Sequence, residues 1–84
     1  MKKYTYNLTF QEVLKELFEE NSPYFYQGEH FSNGVVFLRY SGELTQRIFI
    51  PNTMYEDNTP IITPRVYNQK YRRVTSQSDA ERRA

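Results

Sequence analysis

The sequence predicts an α+β domain, with one N-terminal amphipathic helix packed on a small antiparallel sheet of four to five strands. Three observations carry this expectation. Residues 8–18 hold a single helical apolar stripe behind a capping signature. The remainder consists of short runs rich in aromatic and β-branched residues. Asn, Gly, Ser and Pro interrupt those runs as turn signals, with Asn33-Gly34 and Ser41-Gly42-Glu43 the strongest of them.

Thr9 followed by Glu12 forms a capping box, in which each side chain satisfies the other's backbone N–H. Leu8 and Val13 occupy the flanking staple positions. Phe10, Val13, Leu14, Leu17 and Phe18 follow at helical spacing on one face, and Asn21-Ser22-Pro23 ends the run. Tyr24 to Gln27 reads as the first strand, closed by Gly28, and Asn33-Gly34 supplies a turn tolerant of positive φ. Val35 to Tyr40 and Leu44 to Ile50 read as two strands joined at Ser41-Gly42-Glu43. In the second of these, Leu44, Gln46, Ile48 and Ile50 share one face, while Thr45, Arg47 and Phe49 share the other.

Pro51 to Pro60 reads as a loop, because Asn52, Asp57, Asn58 and two prolines disfavour regular structure. Ile61 to Tyr67 is expected as a fourth strand, confined by Pro64 to an edge or a bulge. Lys70 to Val74 is expected as the fifth, with Lys70 and Arg72 facing one way and Tyr71 and Arg73 the other. Residues 1–75 thus make one domain, and residues 76–84 a polar C-terminal tail with little apolar content to hold it.

At 84 residues, the chain is close to the size at which a single core supplies only about 3–5 kcal/mol. Its lack of cysteine removes disulfides and thiolate metal sites. The remaining reinforcement is self-association, and the apolar content suits it, with eight Tyr and six Phe but no Trp. A homo-oligomer is expected. Val35-Val36-Phe37-Leu38 is the longest apolar run, far short of a membrane span. Met1-Lys2-Lys3 opens like a signal peptide, but Tyr4-Thr5-Tyr6-Asn7 follows instead of an apolar stretch, so a cytoplasmic location is expected.

Net charge is +1 and unevenly placed. Residues 1–60 carry five basic against eight acidic residues, whereas residues 61–84 carry six basic against two acidic ones. Arg65, Lys70, Arg72, Arg73, Arg82 and Arg83 make up that basic quarter. Five of these six are arginine, whose planar fork matches phosphate oxygens, so Arg72 and Arg73 are candidate anion-binding residues. The bland alternative is a charged sheet edge that blocks aggregation. No catalytic set is readable. His30 is the only histidine, no serine sits in a nucleophile elbow, and three isolated glycines cannot build a phosphate loop. A metal or cofactor is not expected, and neither is an enzyme.

Leu8-Thr9-Phe10-Gln11-Glu12-Val13-Leu14 resembles the opening helix of the phage Thoeris anti-defence sponges, a Thr-Phe-x-Glu-Ala-Leu segment. Phe31-Ser32-Asn33-Gly34 before Val35-Val36-Phe37-Leu38 is similar to that family's Gly-Trp-Asn-Gly-like turn, with Phe31 standing where Trp is usual. Ser76-Gln77-Ser78-Asp79 resembles its closing Ser-Gln-x-Asp segment. The resemblance implies a small oligomer that sequesters a cyclic nucleotide immune signal, of the glycocyclic ADP-ribose type, in pockets between subunits and without degrading it. Phe31, Asn33, Ser76, Gln77 and Asp79 are the binding residues it implies. Two other readings stand beside it. One is a phage or mobile-element interaction module that docks on and inhibits a host protein, since exposed Tyr and Arg have the composition of binding hot spots. The other is a nucleic-acid binder, for which a charge of +1 is low.

Overall fold

The computed structural model describes residues 4–82. The Met1-Lys2-Lys3 opening, Arg83 of the basic quarter and the final Ala84 lie outside the described residues. The elements run α1 (Phe10–Phe18), β1 (Phe25–Gly28), β2 (Val35–Tyr40), β3 (Glu43–Phe49), β4 (Tyr55–Asn58), α2 (Pro64–Asn68), β5 (Tyr71–Val74) and α3 (Gln77–Ala80). The five strands form one antiparallel sheet in the order β4-β3-β2-β1-β5, the small α+β architecture expected.

Helix α1 starts as its sequence dictates. Thr9 Oγ1 accepts from the Glu12 N–H at 3.1 Å, and the Thr9 N–H donates to Glu12 Oε1 at 2.9 Å. Such a cap contributes about 1 kcal/mol. Phe10, Val13 and Leu17 are buried on one side of the sheet with Leu8, Tyr26, Phe37 and Tyr71. Phe18, expected on the same stripe, is half-exposed, with the Arg39 guanidinium 5.4 Å above its ring. The opposite side of the sheet carries a smaller core of Val36, Val74 and Ala80, edged by Phe25 and Phe49.

The β2–β3 hairpin closes through Ser41 and Gly42, both at positive φ (52° and 79°), the conformation that a two-residue turn with the twist of the strands requires. Gly34 also has positive φ (82°), and a Cβ there would stand 2.9 Å from the Phe49 carbonyl oxygen. Its own carbonyl accepts from the Phe49 N–H at 2.8 Å, so the close approach is part of the sheet.

Three segments differ from the sequence reading. The Pro51 to Pro60 loop contains strand β4, in which Tyr55, Glu56, Asp57 and Asn58 pair with Phe49, Ile48, Arg47 and Gln46. Ile61 to Tyr67 is not a strand; Thr63 caps α2, accepting from the Val66 N–H, and Pro64 takes the first helical turn, where its missing N–H costs nothing. The polar tail forms α3 on a Ser76 cap, with Ala80 fully buried.

Candidate functional site

The site residues expected from the sequence are divided by the sheet. Strand β5 alternates its side chains, so Arg72 faces α3 and Arg73 faces α1. Arg73 donates to both carboxylate oxygens of Glu16, at 2.9 and 2.6 Å. That bond holds the Glu16 carboxyl below its ordinary pKa, helped by the Tyr26 hydroxyl and opposed by burial. Tyr26 is fully buried, donates to Glu16 at 2.5 Å and shares a bond with the Ser22 hydroxyl at 2.6 Å. Burial first, then the neighbouring carboxylate, push its phenol up to about 12. Arg73 therefore belongs to a network under α1, apart from the other candidates.

Arg72 is 7% exposed. Its Nη1 donates to Asp79 Oδ1 at 2.8 Å, and its Nη2 to Gln27 Oε1 at 2.8 Å and the Asp79 carbonyl at 2.6 Å. Its Nε is buried without a hydrogen-bond partner. The Tyr4 ring lies over the guanidinium at 4.2 Å, and the Tyr6 ring at 5.9 Å. Gln27 is fully buried and donates to the carbonyls of Ala80 (2.7 Å) and Val35 (3.2 Å). Asp79 also accepts from the Thr75 N–H at 3.1 Å, and its own N–H donates to the Ser76 hydroxyl at 3.2 Å. The Ser76–Asp79 segment is thus a capped turn whose carboxylate grips Arg72. Gln77 points its amide to Glu81 instead, at 3.1 Å.

Asn33 meets this segment through Arg82. Arg82 donates to Asn33 Oδ1 (2.8 Å), the Phe31 carbonyl (2.7 Å), the Gly28 carbonyl (3.1 Å) and the Tyr6 hydroxyl (2.9 Å). Gly34 N–H donates to the Ala80 carbonyl at 2.8 Å. The turn and the tail, more than forty residues apart, are therefore one hydrogen-bonded corner. All four Arg82 acceptors are neutral oxygens, and among the described residues no carboxylate forms an ion pair with it. The corner holds two guanidinium groups and the Asp79 carboxylate, with the Tyr6 ring between, 5.8 Å from Arg82. Phe31 contributes its backbone carbonyl to Arg82, and its ring packs edge-on against Phe37 (4.9 Å) and Tyr71 (5.6 Å).

Sequence reasoning missed Gln27, Tyr4, Tyr6 and the role of Arg82. The i, i+2 spacing of Tyr4 and Tyr6 is the signal that places both on one side of an extended segment. His30 lies 3.9 Å from Glu29 at the surface, and among the described residues no group of three His, Asp or Glu is placed to hold a metal. Two surface clefts, of about 400 and 250 Å³, contain none of the seven expected residues. No described helix is long and apolar enough to cross a membrane. No protein-family model matches the chain, and no curated protein or solved structure matches it either.

Proposed function

We propose that the chain is a non-enzymatic binding protein that sequesters an anionic cyclic nucleotide, of the glycocyclic ADP-ribose type, in the host cytoplasm. The observation that carries this reading is the corner built by Arg72, Arg82 and Tyr6. Arg82 is oriented by four neutral oxygens and keeps its full charge for an anion. The Tyr6 ring beside it offers a face for the base, and Arg72, ion-paired to Asp79, fixes the shape of the corner. The same corner joins Asn33 and Ser76–Asp79, the turn and tail that resemble the sponge family. A second copy completes this face as a pocket, as the resemblance implies. Nothing in the corner is a nucleophile with a base beside it, so the ligand is held intact.

Thermal melting of the purified protein with cyclic ADP-ribose as the probe tests this, alongside light scattering for the oligomer. A ligand at one hundred times its Kd stabilises by about 2.7 kcal/mol, which is a clear rise in Tm for so small a domain. Arg82→Ala should abolish the rise. Lack of any shift at saturating probe and its glycocyclic analogue would overturn the proposal.

A further inference from the structure

Strand β3 has a partner on its β4 side over only part of its length. Gln46, Arg47, Ile48 and Phe49 pair with β4. Glu43, Leu44 and Thr45 pair with β2 alone, and among the described residues no strand lies on their other side. The chain leaves the sheet after Asn58, and Pro60 has no N–H with which to continue the ladder. A cleft of about 400 Å³ occupies that position, walled by the β2–β3 hairpin and the end of β4. Tyr40, Glu43, Thr45, Asp57 and Asn58 line it. At the far edge of the sheet, Leu8 and Tyr71 exchange backbone hydrogen bonds at 3.0 and 2.7 Å and cover the start of β5.

The notch has a definite electrostatic sign. No lysine or arginine occurs from Ile48 to Pro64. Arg47 is neutralised by Asp57, both of its bonds to that carboxylate lying within 3.0 Å. Glu43 lines the cleft and forms no ion pair among the described residues. Tyr40 is 59% exposed, leaving its ring open to a cation.

We propose that this notch takes an extended segment of a partner protein carrying a lysine or arginine. The segment's backbone continues the strand position that β4 vacates, and its cationic head lies between the Tyr40 ring and the Glu43 carboxylate. Strand addition supplies main-chain hydrogen bonds, and the head supplies selectivity. A second copy of this chain fits the edge poorly. Two-fold pairing of β4 with itself must place residues of the same face opposite one another, so a register overlapping three or more residues sets Glu56 against Glu56 or Asp57 against Asp57. This surface is separate from the Arg72–Arg82 corner, and its fate does not depend on that reading.

The test uses a synthetic peptide, acetyl-Val-Lys-Val-Arg-Val-Thr-amide, and its counterpart with Glu replacing Lys and Arg. Amide NMR of the full chain at low salt follows each titration. The basic peptide should shift the amides of Glu43–Thr45 and Tyr55–Asn58, and the acidic peptide should not. Glu43→Gln, which removes only exposed charge, should weaken binding about threefold, the scale of one exposed ion pair. No shift at these amides with millimolar basic peptide overturns the proposal, and so does equal binding of both peptides. An affinity unchanged in Glu43→Gln refutes it as well, as do concentration-dependent shifts in the peptide-free protein that mark self-pairing through β4.

Discussion

Arg72 and Arg73 are neighbours in the chain, yet the pleat of β5 sends them to opposite faces of the sheet and into different physics. Arg73 reaches Glu16 at the rim of the α1 face, where water screens the pair and the remaining packing does not depend on it. Arg72 is held within the α3 face and ties together β1, β5 and α3 through Gln27 and Asp79. The α1 face has seven buried apolar side chains to hold it, and the α3 face has only Val36, Leu38, Val74 and Ala80. Where apolar area is short, a buried polar network carries the attachment. The same charge is therefore structural at one position and nearly dispensable at the next.

Arg72→Ala tests the contrast with the largest expected effect. It removes the Arg72 donor from Asp79 Oδ1 and from the Gln27 amide oxygen in a mostly buried place. Breaking such a pair from one side costs about 3–5 kcal/mol, which is comparable to the whole stability of a domain this size. Urea unfolding should show the variant mostly unfolded or strongly destabilised. A loss under about 1 kcal/mol would mean that α3 is held by its small apolar contact alone.

Ala80→Leu probes that apolar contact directly and should have a smaller effect. Ala80 is fully buried against Val36 and Val74, and its carbonyl accepts from Gln27 and Gly34. A larger side chain can fit only by lifting α3, which stretches both bonds. Overpacking of this kind costs about 1–3 kcal/mol. Amide exchange should locate the loosening in α3 and the Gly34 turn, with the α1 amides unchanged.

Much of the α1 face was legible in the sequence, and little of the α3 face was. The Thr9–Glu12 box and the apolar stripe announce themselves because one side of α1 is buried in a large core, and the run Val35–Leu38 stands out because Val36, Phe37 and Leu38 are buried on both faces of the sheet. Strand β4 escaped notice because Tyr55, Glu56, Asp57 and Asn58 are exposed on both faces at the sheet edge, so no alternation marks them. Ile61 to Tyr67 looked like a strand from its β-branched residues, yet the Thr63-Pro64 start is a helix signal that outweighs them over so few residues. The tail carried Ser76 followed three residues later by Asp79, a capping pattern hidden by the lack of any apolar run behind it. Arg72 gave no sign of burial, since a charged residue on a short strand reads as solvated. Its partner Asp79, seven residues on, becomes a partner only once α3 folds back.

Arg73→Ala is the smallest of the expected effects and sharpens the contrast from the other side. The Arg73–Glu16 pair is half-exposed on the arginine side, and exposed pairs are worth about 0–1 kcal/mol. Its signature is therefore better sought in pH dependence than in stability at neutral pH. Folding lowers the pKa of Glu16, first through the Arg73 hydrogen bond and then through Tyr26. An unfolded glutamate titrates at about 4.3. The folded state thus binds fewer protons there than the unfolded one, and the pair's contribution is present above that value. It disappears as pH falls through the lower folded pKa. Wild-type protein should lose stability between pH 5 and the acid limit more steeply than Arg73→Ala, with the two curves converging at low pH. If the variant shows the same acid slope, Tyr26 alone holds the Glu16 carboxylate, and Arg73 is a solvated charge lying beside it.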